Sequence, residues 1–160
     1  MNAPTLPLVE QLAAQLLQRQ WLLATAESCT GGLIAGACTD LSGSSNWFER
    51  GFVTYSNAAK TELLGVPPTL IEQHGAVSEA VARAMAAGAL AHSPAQVAVA
   101  VTGVAGPTGG TDEKPVGLVW FALALPGRVL TEQMNFPGDR AAVRAATVQH
   151  ALRRLTELLS

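Results

Sequence analysis

Trp21-Leu22-Leu23-Ala24-Thr25-Ala26-Glu27-Ser28-Cys29-Thr30-Gly31-Gly32 begins as an apolar run of strand character and ends in a polar turn with two glycines. Apolar residues repeat with helical spacing on either side: Leu8, Val9, Leu12, Ala13, Leu16 and Leu17 before it, and Leu33, Ile34, Ala37, Cys38 and Leu41 after it. A helix therefore leads into a strand, and the strand turns through Ser28-Cys29-Thr30 into a second helix. Such a junction sets a nucleophilic side chain beside helix N-terminal amides, where negative charge is favoured.

The alternation continues outward. Trp47 to Ser56 reads as a strand and Ala58 to Leu64 as a short helix, closed by Gly65, with Pro67-Pro68 barring its continuation. Ser78 is a good N-cap and Glu79 suits the helix dipole. Val81, Ala82, Met85, Ala86, Ala89 and Leu90 follow as the stripe of a small-residue helix. Gln96 to Val101 resembles a buried strand that feeds a glycine- and proline-rich loop from Thr102 to Pro115. Val116 to Leu125 and Val129 to Phe136 suit an antiparallel hairpin, and a last helix starts near Asp139. Alternating elements followed by two adjacent strands predict a single-domain, layered α/β fold over residues 1–160, with helices packed on a mixed β-sheet. In such folds ligands bind beyond the strand ends, where the glycine clusters fall.

Composition narrows the function. A chain of 160 residues is the size of one domain. A net charge of −2 and 5% aromatic residues provide neither a basic field for a phosphodiester backbone nor a stacking platform, so nucleic acid is not expected as a partner. Polar residues, glycine or proline interrupt every apolar stretch well short of the ~20 residues that span a bilayer, so no membrane segment is expected. The start Met1 to Pro7 lacks a basic region followed by an apolar core, which points to a cytoplasmic protein. Cys29 and Cys38 form no CxxC unit and His74, His92 and His150 are scattered, so neither a disulfide, a metal site nor a cofactor is expected.

Four groups could carry chemistry. Ser28 is the preferred nucleophile, with the amides of Thr30, Gly31 and Gly32 as oxyanion donors; a plain serine N-cap is the bland alternative. Cys29 competes, because a thiolate also gains from a helix N-terminus, although a buried inert cysteine fits as well. Tyr55 is the only tyrosine, and Lys60 is one of two lysines beside eight arginines. Lysine, unlike arginine, can lose its proton when buried, so Lys60 is a candidate base; a solvated helix-face cation is the alternative. The glycines of Thr102-Gly103-Val104-Ala105-Gly106 permit close approach of backbone to a ligand, but neither GxxxxGK[ST] nor GxGxxG fits this loop. Arg140 stands in the first turn of the last helix, where a cation is unfavourable unless an anion is near. It is a candidate phosphate or carboxylate ligand, or a partner of Asp139.

Taken together, Ala26 to Gly32, Tyr55 to Lys60, Gly75-Ala76-Val77-Ser78, Thr102 to Pro107, Lys114-Pro115-Val116-Gly117 and Gly138-Asp139-Arg140 resemble the CinA C-terminal-domain family, in order, over about residues 8–158. Its single-domain members are PncC-type nicotinamide-nucleotide amidohydrolases. The resemblance implies hydrolysis of the carboxamide of nicotinamide mononucleotide to nicotinic acid mononucleotide and ammonia, in pyridine-nucleotide recycling. It implies Ser28 as nucleophile, Lys60 as base, Tyr55 beside them as relay or orienting group, and Arg140 near the substrate. Cys29, Thr30, Gly31, Gly32, Thr102, Gly103 and Gly106 would line the site. It also implies no metal, a homo-oligomer, and none of the activity of the large N-terminal domain of full CinA proteins. A non-catalytic nucleotide-binding or regulatory module, and a cysteine-dependent amidase using Cys29, remain as alternatives.

Overall fold

The computed structural model describes residues 5–160; Met1 to Pro4, part of the stretch read for a leader, lie outside the described residues. The elements run α1 (Thr5–Arg19), β1 (Leu23–Glu27), α2 (Leu33–Thr39), a single 3-10 turn at Ser44–Asn46, β2 (Phe48–Val53), α3 (Asn57–Leu64), α4 (Pro68–His74), α5 (Glu79–Ala91), β3 (Val97–Gly103), β4 (Leu118–Leu125), β5 (Arg128–Asn135) and α6 (Arg140–Leu158). The five strands form one sheet in the order β2-β1-β3-β4-β5. β1 pairs in parallel with β2 and β3, and β4 pairs antiparallel with β3 and β5. This is the expected layered α/β fold with a mixed sheet.

Side-chain alternation along the strands divides the core into two layers. Leu23, Val97, Val99, Val101, Val119, Phe121 and Leu123 face one way and pack on α1, α2 and α6. Ala24, Ala26, Ala98, Ala100, Ala122 and Ala124 face the other way and pack on α3, α4 and α5. Successive strand residues point to opposite faces, so the Val-Ala-Val-Ala-Val run of β3 makes one bulky and one smooth surface. The smooth one admits α5, whose Ala82, Ala86 and Ala89 bring its axis close to the sheet. The small-residue helix is thus consumed inside the subunit. Gly88 carries the same logic one layer out: a Cβ there would lie 2.0 Å from the Leu64 carbonyl oxygen. Only glycine lets α3 end against α5 so closely.

Sequence and structure differ at several boundaries: β2 stops at Val53, leaving Ser56 as the N-cap of α3, and β4 begins at Leu118 and not at Val116. Pro67-Pro68 ends α3 as expected, but Pro68 also opens α4, because a proline at the first helical position loses no hydrogen bond. Thr102 and Gly103 belong to β3 rather than to the following loop. Finally, α2 begins at Leu33, after the Thr30-Gly31-Gly32 turn and not within it, with Gly32 in the left-handed region at its N-cap. The parallel strands β1, β2 and β3 end side by side at Glu27, Val53 and Gly103, and the segments that leave them converge there.

Candidate active site

Ser28 is the first residue beyond β1, and its amide donates to the Val101 carbonyl at 3.1 Å, continuing the ladder to β3. The chain then closes a turn in which the Gly31 amide donates to the Ser28 carbonyl at 3.1 Å. Beneath the turn lies Glu27, fully buried. Its carboxylate accepts from the Thr30 hydroxyl at 2.6 Å and from the amides of Ile34 and Ala35 at 2.8 and 2.9 Å. The first free amides of α2 are therefore taken by a carboxylate from the preceding strand, as the helix dipole favours.

The segment leaving β2 supplies the second group. Ser56 caps α3 by accepting from the Ala59 amide at 3.0 Å, which turns Lys60 back toward the strand ends. Lys60 is 1% exposed. Its ammonium nitrogen lies 3.0 Å from Ser28 Oγ, 3.0 Å from the Thr54 carbonyl and 3.1 Å from the Tyr55 carbonyl, all neutral oxygens. Burial without a compensating anion disfavours the charged form. It holds the Lys60 pKa below its ordinary 10.5, opposed only by any charge on Cys29. Burial also pushes the Cys29 thiol up to about 11; Glu27 adds to this, while the thiol's contact with its own backbone and the cations Arg144 and Lys60 oppose it. Cys29 is thus a protonated thiol near neutrality, and the solvated-cation alternative for Lys60 is set aside by its burial.

Around this pair is a cleft of about 340 Å³ lined by Ser28, Cys29, Tyr55, Asn57, Lys60, Ala76, Val77, Thr102 to Gly106, Thr108, Gly109 and Arg140. That size lies within the range of ordinary small-ligand pockets. Thr102 is buried at its floor, and its hydroxyl donates to the Ala76 carbonyl at 2.9 Å, tying β3 to the segment before α5. Gly106, with φ +79, folds the loop tightly over Val116, whose methyl would stand 2.4 Å from a Cβ at that position. At the mouth, Arg140 donates to the Gly106 carbonyl at 2.8 Å and to the Tyr55 hydroxyl at 3.1 Å. Asp139 does not pair with it but caps α6, accepting from the Ala142 amide at 2.9 Å.

Eight of the residues singled out from sequence meet in this cleft: Ser28, Cys29, Tyr55, Lys60, Thr102, Gly103, Gly106 and Arg140. Thr30, Gly31 and Gly32 do not line it. The Gly31 amide is engaged within the turn and Thr30 is buried on Glu27, so these residues shape the turn rather than its surface. Tyr55 reaches Lys60 through its carbonyl, while its 60% exposed phenol meets Arg140. Val104 and Ala105, within the loop read as approaching a ligand, also line it; sequence reading missed Asn57, Ala76, Val77, Thr108 and Gly109 as lining residues, and Arg144 altogether. Arg144 donates from Nε to the Cys29 carbonyl at 3.1 Å and from Nη2 to the Thr30 carbonyl at 3.3 Å. Nothing in the local sequence marked Arg144, because both of its partners lie far from it along the chain. Among the described residues no three His, Cys, Asp or Glu side chains gather as a metal site, and no helix is long and apolar enough to cross a membrane.

Known proteins share this arrangement of sequence and fold. The chain is 60% identical over 135 residues, 84% of its length and 82% of the relative's, to a protein of Enterobacter agglomerans named nicotinamide-nucleotide amidohydrolase PncC. Proteins of the same name from Pseudomonas putida and Escherichia coli K12 are 54% and 52% identical, covering 97% and 96% of this chain and 97% and 94% of their own. The crystal structure of competence/damage inducible protein CihA from Agrobacterium tumefaciens superposes with a TM-score of 0.97 at 46% identity, covering 100% of this chain and 98% of that one. Residues 5–159 match the family model of the CinA C-terminal domain, and with nearly the whole described chain inside that match, the protein belongs to the CinA C-terminal domain family.

Proposed function

We propose that the chain hydrolyses the carboxamide of nicotinamide mononucleotide to nicotinic acid mononucleotide and ammonia, with Ser28 as nucleophile and Lys60 as its base. The observation that carries the chemistry is the 3.0 Å contact between a buried lysine nitrogen and a serine hydroxyl at the wall of a cleft. The substrate is supported by the activity named for relatives at 52 to 60% identity over most of their length. No feature of the cleft favours binding without turnover, and a thiol whose pKa stands at about 11 is a poor nucleophile near neutrality.

The neutral Lys60 amine takes the Ser28 proton as Oγ bonds to the carboxamide carbon. The resulting oxyanion is held by backbone amides at the cleft, those of Cys29 and of the Ala105-Gly106 turn, in place of the Thr30 to Gly32 amides. Lys60 then gives its proton to the leaving nitrogen, the carbon–nitrogen bond breaks, and ammonia departs. Water attacks the acyl ester, passing its proton to Lys60, which returns it to Ser28 Oγ as the ester bond breaks. No relay through the Tyr55 hydroxyl is needed, because Lys60 touches Ser28 directly. Arg140 and the Gly106 turn grip the nucleotide, the arginine exchanging its neutral partners for phosphate.

The test is ammonia release from nicotinamide mononucleotide by the purified chain beside Ser28→Ala. Wild-type release that falls roughly 10³-fold or more in the variant is expected, as for loss of an essential nucleophile. Near-normal release by Ser28→Ala would end the covalent scheme, and saturable binding with no release by the wild type would favour the binding module.

A further inference from the structure

Three successive peptides after β1 are each held by their carbonyls. The Ser28 carbonyl accepts from the Gly31 amide, and the Cys29 and Thr30 carbonyls accept from Arg144. In a trans peptide the carbonyl of one residue and the amide of the next point in opposite directions. The bonds therefore join into a chain: Arg144 Nη2 to the Thr30 carbonyl, across that peptide to the Gly31 amide, on to the Ser28 carbonyl, and across the next peptide to the Cys29 amide. Each link polarises the next, and a cation at one end strengthens the donor at the other. Cys29 lines the cleft and its amide directly follows the candidate nucleophile.

We propose that Arg144 is a positioning residue that aims and polarises the Cys29 amide as an oxyanion donor through this hydrogen-bonded chain. The inference rests on the amidohydrolase reading for its kinetic consequence, but not for the chain of bonds itself. Arg144 touches neither the cleft nor Lys60; it acts from the far side of the turn, out of α6. A plain structural clamp would need only that the turn be held. The relay additionally requires a cation with a donor directed at the Thr30 carbonyl.

The experiment compares wild type, Arg144→Lys and Arg144→Gln by two readouts. One is the position of the Gly31 and Cys29 amide protons in a nitrogen–proton correlation spectrum; the other is steady-state ammonia release from nicotinamide mononucleotide. Both amide protons are expected to move upfield in Arg144→Gln while amides remote from the turn keep their positions. The turnover number is expected to fall about 10- to 100-fold with KM within about twofold, below the 10²- to 10³-fold that follows deletion of a whole oxyanion donor. Arg144→Lys, which keeps the cation, should recover part of both. Unmoved Gly31 and Cys29 amides in Arg144→Gln would overturn the relay, as would KM rising in step with a falling turnover number and no recovery by lysine. If the amides move but the wild type releases no ammonia, the relay stands and the amidohydrolase reading falls.

Discussion

A neutral Lys60 amine has two N–H groups and one lone pair, and the Thr54 and Tyr55 carbonyls and the Ser28 hydroxyl match them one for one. The charged form has three N–H groups and finds three oxygens in the same places, so protonation requires no rearrangement, only the cost of a buried charge. That cost lowers the pKa, and it fixes the sign of two pH effects. The proposed scheme requires the neutral amine, so kcat/KM should climb with pH through one ionisation lying below 10.5, the ordinary lysine value. For stability, the unfolded chain binds more protons than the folded chain between the depressed pKa and 10.5, so the unfolding free energy rises with pH across that window. Urea unfolding of wild type and Lys60→Met at a series of pH values checks this: the difference between them should change in the wild type's favour as pH rises, whereas parallel profiles would mean an unperturbed lysine. Ser28 and Lys60, whose side chains meet, were legible in sequence as candidates because such chemistry is carried by residue type. Tyr55 was legible only in part, since what touches Lys60 is its carbonyl, which every residue possesses.

At the scale of elements, the site depends on how helices end and how closely they approach. Glu27 reaches across seven and eight residues to the amides of Ile34 and Ala35, outside the usual N-cap spacing, so the serine–glycine turn read from sequence as the helix start is instead a separate turn before it. Arg144 bonds a carbonyl 115 residues away, and no local pattern announces such a contact. The small-residue stripe of α5, by contrast, was plain in sequence; only the sheet and α3 show what it packs against. Gly88→Ala tests that packing by magnitude. Helix propensity favours alanine by about 1 kcal/mol. Against this, a Cβ placed 2.0 Å from a backbone carbonyl oxygen must push α3 and α5 apart, and overpacking costs about 1 to 3 kcal/mol or more. The overlap is with backbone and not with a movable side-chain end, so the upper figure applies and a net loss of about 2 kcal/mol is expected in urea unfolding. A gain in stability would show that α3 can retreat freely.

Across the whole molecule, the mixed sheet was readable from the order of elements because parallel strands need crossovers and the β4–β5 hairpin does not. What that order could not give is which loops meet. The cleft draws on the turn after β1, the β2–α3 connection, the segment before α5, the end of β3 with its loop, and the first turn of α6. These lie on both layers of helices and on three adjacent strand ends, and they are joined by side-chain contacts such as Lys60 to Ser28, Arg144 to Cys29 and Thr30, Arg140 to Gly106 and Tyr55, and Thr102 to Ala76. A nucleotide in the cleft would add contacts between segments that separate on unfolding, and binding to the folded state alone raises its stability by mass action. With Ser28→Ala to prevent turnover, nicotinamide mononucleotide at about 100 times its Kd should add about 2.7 kcal/mol, or roughly 5 to 10 °C in Tm for a chain of this size. Arg140→Ala in the same background should lose most of that shift at equal ligand, because the phosphate then meets no cation at the mouth, while the unliganded Tm changes little since Arg140 is exposed and bonds only neutral oxygens. Thermal melts of the two proteins with and without ligand decide it, and an undiminished shift in the Arg140 variant would place the phosphate elsewhere in the cleft.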